Sequence, residues 1–272
     1  MMKQTASMFR LVITGVLAFT LSACVTTVES RFTKKASPEK AVENYTQLGI
    51  GYLKENHPDL ARQRLQKALS IDENYAPAND AMGLLWQTEG ELDLAEEFYR
   101  KAINKDSSLT QAKHHLGRLY NQKREYDKAE PWLRKATEDR YYDGRNQAFN
   151  DLAMNYYRQG HTDKAIETYS ESLRISPYAA EPLVNIATLL FESQQYKESL
   201  KYWDRLDRLV QRQQTRHTSH SLWLGIRLAN IFQSTQRSAR LAVQLSEEFP
   251  NSAEFQQYKD SLGDNQTFPV VH

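Results

Sequence analysis

One cysteine, Cys24, occurs in 272 residues. A single thiol excludes an internal disulfide, although an oxidising envelope compartment would permit one. Near the N-terminus the apolar run Leu11–Leu21 is 11 residues long, short of the roughly 20 that a helix needs to cross about 30 Å of bilayer. Charge of either sign is not in excess, with 35 Lys and Arg against 34 Asp and Glu. No global basic field is therefore available to draw in nucleic acid. The common catalytic signatures are missing too. No H-E-x-x-H, G-x-x-x-x-G-K-[ST], G-x-S-x-G or G-x-G-x-x-G occurs, which removes the usual marks of zinc, P-loop, serine-nucleophile and dinucleotide sites. The chain reads as a non-enzyme with no metal and no diffusible cofactor.

What is present begins at the N-terminus. Lys3 and Arg10 precede the apolar run, and Leu21-Ser22-Ala23-Cys24 follows it. A positive segment, a short apolar segment and small residues before a cleavage point make a signal peptide over residues 1–23. The last four residues match the bacterial lipoprotein box, which implies that Cys24 becomes the mature N-terminus and carries a diacylglycerol and an N-acyl chain. At about 0.8 kcal/mol per buried methylene one chain anchors marginally, whereas two or three anchor stably. Val25 in the next position resembles lipoproteins sorted to the outer membrane of a Gram-negative cell, on its periplasmic face. Residues 24–37 hold little to bury and read as a tether. Loss of residues 1–23 removes Lys3 and Arg10 but no acid, taking the net charge from +1 to −1.

Beyond the tether the chain repeats itself. Leu48-Gly49, Met82-Gly83 and Leu116-Gly117 recur at 34-residue intervals, followed in phase by Ala61, Ala95 and Ala129 and then by Ala68, Ala102 and Ala136. A 34-residue period with small residues locked in phase is the mark of tetratricopeptide repeats, pairs of helices that stack into a solenoid. The predicted fold is all-α, a right-handed superhelical solenoid of about six repeats over 38–262. The units fall near 42–75, 76–109, 110–145, 146–179, 180–213 and 218–250, with a capping helix over 251–262 and a frayed tail over 263–272. Glycine or alanine at the eighth position lets two helices approach closely, while Tyr, Trp and Leu fill the spaces between units. Ser37 and Pro38 suit an N-cap and first helical position, as does Pro58. Pro131 predicts a local bend without a break. The second helix of the fifth unit is expected to run through Arg216, carrying Arg205, Arg208, Arg212 and Arg216 as a solvated stripe beside Asp204 and Asp207.

Histidines offer no metal site. His114 and His115 are adjacent and diverge by about 100° on a helix. His217 and His220 lack a third ligand and read as solvated side chains near a helix junction.

Function then rests on the face formed by the first helices. In this repeat class its lining positions correspond to Thr46, Ile50 and Leu53, then Asp80, Leu84 and Gln87, His114, Arg118 and Asn121, Asn150, Met154 and Tyr157, and Val184, Thr188 and Phe191. The Lys and Asn of a carboxylate clamp are not there. Two apolar clusters are: Ile50, Leu53 and Leu84, and Met154, Tyr157 and Phe191. Together they form a candidate groove for a partner's helix or strand.

A lipobox, a tether and six such repeats resemble the type IV pilus biogenesis/stability lipoproteins, the PilF/PilW-type pilotins. Two phrases carry the likeness: Ala41-Val42-Glu43-Asn44-Tyr45-Thr46-Gln47-Leu48-Gly49, and His220-Ser221-Leu222-Trp223-Leu224-Gly225-Ile226-Arg227. The second is the more specific, since the general repeat does not require Trp-Leu-Gly-Ile-Arg. The resemblance implies a monomeric outer-membrane lipoprotein that binds the subunit of the pilus secretin and promotes its localisation and ring assembly. A different expectation is an envelope scaffold that recruits peptidoglycan enzymes or barrel-assembly factors. Under either, Cys24→Ala is expected to move the protein from the membrane pellet to the soluble fraction. Undiminished sedimentation with outer membrane would show a different anchor.

Overall fold

The computed structural model describes residues 37–263; the signal peptide, Cys24, most of the tether and the tail from 264 lie outside the described residues. Among those described there are thirteen α-helices and no strand. They are α1 Pro38–Lys54, α2 Pro58–Ile71, α3 Ala76–Thr88, α4 Leu92–Lys105, α5 Thr110–Gln122, α6 Tyr126–Glu138, α7 Arg145–Arg158 and α8 Thr162–Ile175. Then come α9 Ala180–Glu192, α10 Tyr196–Gln211, α11 Ser219–Ile231, α12 Thr235–Glu248 and α13 Ala253–Gly263. Consecutive pairs make six hairpins, each an A helix followed by a B helix, with α13 packed on α11 and α12.

Each A helix ends by the same backbone device. Asn56, Gly90, Arg124, Gly160, Gln194 and Gln233 all adopt positive φ, between 54° and 86°. The next amide then reaches back to a carbonyl in the last turn, as in His57 N–H to Tyr52 O at 2.8 Å and Glu125 N–H to Tyr120 O at 2.9 Å. This is the left-handed closure that satisfies carbonyls otherwise orphaned at a helix end. Four of the six positions are not glycine, so packing of the hairpin holds a conformation that local preference disfavours.

The hairpins close because the A helix carries no side chain, or in the fourth and fifth only the methyl of Ala153 and Ala187, where the B helix crosses it. A Cβ on Gly49 would lie 2.6 Å from the Leu65 side chain, one on Gly83 2.6 Å from the Tyr99 ring, and one on Gly117 2.7 Å from Leu133. Ala61, Ala95, Ala129 and Ala165 are fully buried on the B helices, as the repeat pattern predicts. Where the pattern departs from alanine, the polar replacement is satisfied: Ser199 Oγ donates to Ala187 O at 2.6 Å and Ser172 Oγ to Asn146 Oδ1 at 2.6 Å. One apolar cluster runs without interruption from Ala95 to Leu209, and a second from Ala187 to Leu245 closes the C-terminal end.

Two expectations need correction. The fifth B helix stops at Gln211, because Gln213 adopts a φ of 58° and Gln214 N–H turns back to Leu209 O at 3.0 Å. Arg212 is its C-cap and Arg216 lies in the following turn, so the four arginines do not form one helical stripe. Asp207 is buried, 6% exposed, rather than solvated. Pro131 sits in an unbroken α6. The step from Leu116-Gly117 to Leu152-Ala153 is 36 residues, and its two extra residues fall in the turn 139–144 between α6 and α7.

Gly225 shows the strength of this close packing. An added Cβ would lie 2.3 Å from the Trp203 ring and 2.9 Å from Leu241, and Trp203 is fully buried with its indole N–H donating to Ser221 O at 2.7 Å. Gly225→Ala is therefore expected to cost about 1–3 kcal/mol by overpacking. Gly51, also within a helix, has open space at its Cβ position. Gly51→Ala is expected to stabilise by roughly 0.5–1 kcal/mol. Denaturant titration of the two variants checks the contrast; equal effects would remove the packing explanation.

Candidate partner-binding face

The A helices of successive repeats lie side by side, and a polar ladder joins them. Asp80 Oδ1 on α3 lies 2.8 Å from His115 Nδ1 on α5. The neighbouring His114 places Nε2 2.7 Å from Asp151 Oδ2 on α7 and Nδ1 2.9 Å from the Tyr142 hydroxyl. The two-residue insertion in the 139–144 turn is what brings Tyr142 over His114, and burial pushes the Tyr142 phenol up to about 12. Further along, Asn155 Nδ2 donates to Asn121 Oδ1 at 2.7 Å, and Asn150 Nδ2 to Glu181 Oε2 at 3.1 Å. Tyr157 O–H donates to Glu192 Oε2 at 3.1 Å, and Thr188 meets His220 at 2.9 Å.

This ladder corrects the set of groove positions. Thr46, Asp80, His114 and Asn150 are 0–3% exposed; they face the neighbouring helix, not solvent. Thr46 Oγ1 donates to Val42 O at 2.8 Å. Asp80, His114 and Asn150 cross-link adjacent A helices while Thr46 bonds within its own, so none of the four lines the face. Val184, in the same position of the fifth repeat, is half-buried.

Of the six apolar residues, Ile50, Leu53, Leu84, Met154 and Tyr157 are half-buried and retain exposed surface. Ile50 and Leu53 pack against the Leu65, Ala81, Met82 and Leu85 cluster. Met154 and Tyr157, with Tyr169, Asn185, Thr188 and Leu189, enclose a cavity of about 50 Å³, room for one small aliphatic group. Phe191 does not belong to the open surface. It is 7% exposed, its ring 5.2 Å from that of Tyr196 and covered at 4.0 Å by the Arg227 guanidinium. Leu48 adds an apolar position of a different origin, at 49% exposure. Its equivalents Met82, Leu116, Leu152, Ile186 and Leu224 are all buried.

His217 is not solvated either. It is 3% exposed and stacked on Trp203, with centroids 5.6 Å apart and planes 12° from parallel. Its ring nitrogens meet Ser221 Oγ at 3.0 Å and Asp207 Oδ1 at 3.2 Å. The grouping has the composition of a serine-nucleophile triad without its geometry of access. Ser221 is 1% exposed, and its hydroxyl donates to Thr218 O at 3.0 Å within the capping box that starts α11. Asp207 is held below the usual carboxylate range because His217 and Arg240 outweigh its burial. The cluster thus fastens the long turn after α10 to α11.

Arg227 is the functional-looking residue that the sequence reading did not single out. It lies one turn after Trp223 on α11, stacked over Phe191 and 5.9 Å from the Trp223 ring. Burial lowers its affinity for the proton. Among the described residues no ion pair or hydrogen bond engages it. The i, i+4 spacing of Trp and Arg was the available signal.

A stack of helical hairpins with an apolar, polar-braced face defines a tetratricopeptide scaffold, a class that mediates protein–protein contacts. Residues 108–177 match the tetratricopeptide repeat family. The type IV pilus assembly protein PilF of Pseudomonas aeruginosa is 32% identical over 244 residues, 89% of this chain and 95% of that protein. The chain belongs to the PilF family of type IV pilus assembly proteins. A solved structure of Pseudomonas aeruginosa PilF superposes with a TM-score of 0.76 at 30% identity, covering 83% of this chain and all of that one. The crystal structure of PilW, a type IV pilus biogenesis factor, shares the fold at a TM-score of 0.71 and 20% identity, over 80% of this chain and 98% of its own.

Electrostatic bracing also extends to the B helices. Glu96 on α4 accepts from the Tyr120 hydroxyl at 2.6 Å, from Lys123 at 3.0 Å and from Arg100 at 3.0 Å. Burial raises its pKa, but these donors together win and hold it at about 2, against an ordinary 4.5. A carboxyl depressed on folding stabilises the native state fully above its unfolded value, and that contribution disappears as pH falls from about 4.5 toward 2. Glu96→Gln is expected to flatten the stability–pH curve across this window. A curve parallel to wild type would contradict the assignment.

Proposed function

We propose that this protein is an outer-membrane lipoprotein that captures the type IV pilus secretin subunit and promotes its delivery and multimer assembly. Family membership carries the reading: the match to PilF spans 95% of that protein, so the whole scaffold is shared and not one generic repeat. The half-buried apolar A-helix face supports a binding role, since a surface of this kind suits a partner's amphipathic segment. An acyl anchor on Cys24 would confine the scaffold to the membrane plane. Confinement raises the effective concentration of captured subunits and so favours ring closure without bond-making chemistry.

Deleting the gene is expected to reduce heat-resistant secretin multimers on unheated gels severalfold, with subunit lost from the outer membrane. Leu84→Glu and Met154→Glu, each placing a charge on the apolar face, are expected to reproduce much of that loss while the purified variants melt within a few degrees of wild type. Undiminished multimers in the deletion strain would refute the secretin reading. Normal multimers with both face variants would move the contact surface elsewhere.

A further inference from the structure

The phrase Trp223-Leu224-Gly225-Ile226-Arg227 divides into two halves by burial. Leu224 and Ile226 are buried, at 2% and 0% exposure, and Gly225 makes room for Trp203. Packing accounts for those three. Trp223 and Arg227 stay half-buried, Trp223 at the edge of the C-terminal apolar cluster and Arg227 over its member Phe191.

Arg227 is held over an aromatic ring, and among the described residues no hydrogen bond or close ion pair engages its guanidinium. Its guanidinium lies over the Phe191 ring at 4.0 Å, a cation–π contact that places the charge without using its N–H donors. Other charged groups around it are already engaged. Glu192, on α9 next to Phe191, accepts from the Tyr157 hydroxyl at 3.1 Å and acts on Arg227 through space, beyond hydrogen-bond distance. Nearby His220 is bonded to Thr188. A partly desolvated guanidinium with no hydrogen-bond acceptor among the described residues is complementary to a carboxylate, which it can grip with two parallel hydrogen bonds.

Its position connects it to the apolar cavity. Thr188 and Leu189 line that cavity on α9, and Phe191 lies within one turn of them, about 5 Å along the helix axis. A segment that seats a small apolar side chain between Met154 and Thr188 passes Arg227 a few residues on.

We propose that Arg227 receives the side-chain carboxylate of an aspartate or glutamate in the bound segment, a few residues from a small apolar anchor that fills the cavity at the junction of repeats four and five. Trp223, whose ring packs edge-on against Tyr258 of α13 at 6.2 Å, walls the far side of the site. The assignment rests on the reading that the A-helix face holds a partner segment, but it does not require that partner to be the secretin.

The test is selection of random, C-terminally amidated peptides on the full-length lipidated protein in detergent, read by sequencing of the bound pool. Enriched peptides are expected to carry an acidic residue at fixed spacing from a small apolar residue. Selection on Arg227→Met, which keeps an unbranched apolar cover on Phe191, is expected to retain the apolar residue and lose the acid. For one enriched peptide, Glu→Gln in the peptide and Arg227→Met in the protein are each expected to weaken binding at least tenfold, with no further loss when combined. Arg227→Lys, which keeps charge without the planar fork, should fall between. An unchanged melting temperature for Arg227→Met separates recognition from a structural latch. The proposal is overturned if no acid is enriched, if Arg227→Met selects the same acid, or if binders appear only when the peptide's terminal carboxylate is left free. A secretin that assembles normally in the deletion strain would sink the functional reading while leaving this result intact.

Discussion

The structure depends on one contact: a helix backbone without a side chain, crossed by a large side chain from its neighbour. Leu65, Tyr99 and Leu133 occupy that place over Gly49, Gly83 and Gly117, and Ala153 and Ala187 leave only a methyl group there in the fourth and fifth hairpins. A closed hairpin exposes an apolar flank that water disfavours, and the next hairpin covers it. Fully buried Ala61, Ala95, Ala129 and Ala165 let that covering helix come close. Nearest-neighbour contacts of this kind build a long surface from short-range packing, which is how a chain of modest apolar content supports an extended face.

Order on that face comes from polar groups that partner one another across repeats. Asp80 with His115, His114 with Asp151 and Asn121 with Asn155 each bridge adjacent A helices. Buried polar groups left unpaired would be costly, whereas fully paired ones specify a single register. With these donors and acceptors consumed internally, apolar side chains such as Leu84 and Met154 and the guanidinium of Arg227 remain available to a partner. A braced face needs little ordering when a segment binds, so less of the contact energy is spent on rigidifying the scaffold. The buried Trp203–His217–Asp207 cluster performs the same bracing at the long turn after α10.

Much of this was legible before any coordinates. Spacing of Leu/Met-Gly and alanine placed the stacked helical hairpins of the fold. The candidate face was half legible. Ile50, Leu53, Leu84, Met154 and Tyr157 keep exposed surface, but Phe191 is covered by Arg227, and Thr46, Asp80, His114 and Asn150 turn inward. Helix phase predicts the direction in which a side chain leaves its own helix, not what stands in its way. The arginine stripe failed for a related reason: charge periodicity continued past Gln211, but the backbone turned back at Gln213.

By itself the sequence determined the hairpin count, the phase of the stack and the small residues on which close approach depends, because these are set by periodic contacts within and between adjacent units. Only the tertiary structure decided which polar residues brace and which residues face a partner. Burial at any A-helix position depends on the side chain that the next repeat presents to it, as Arg227 does to Phe191. That pairing joins residues far apart in the chain and leaves no local pattern to read.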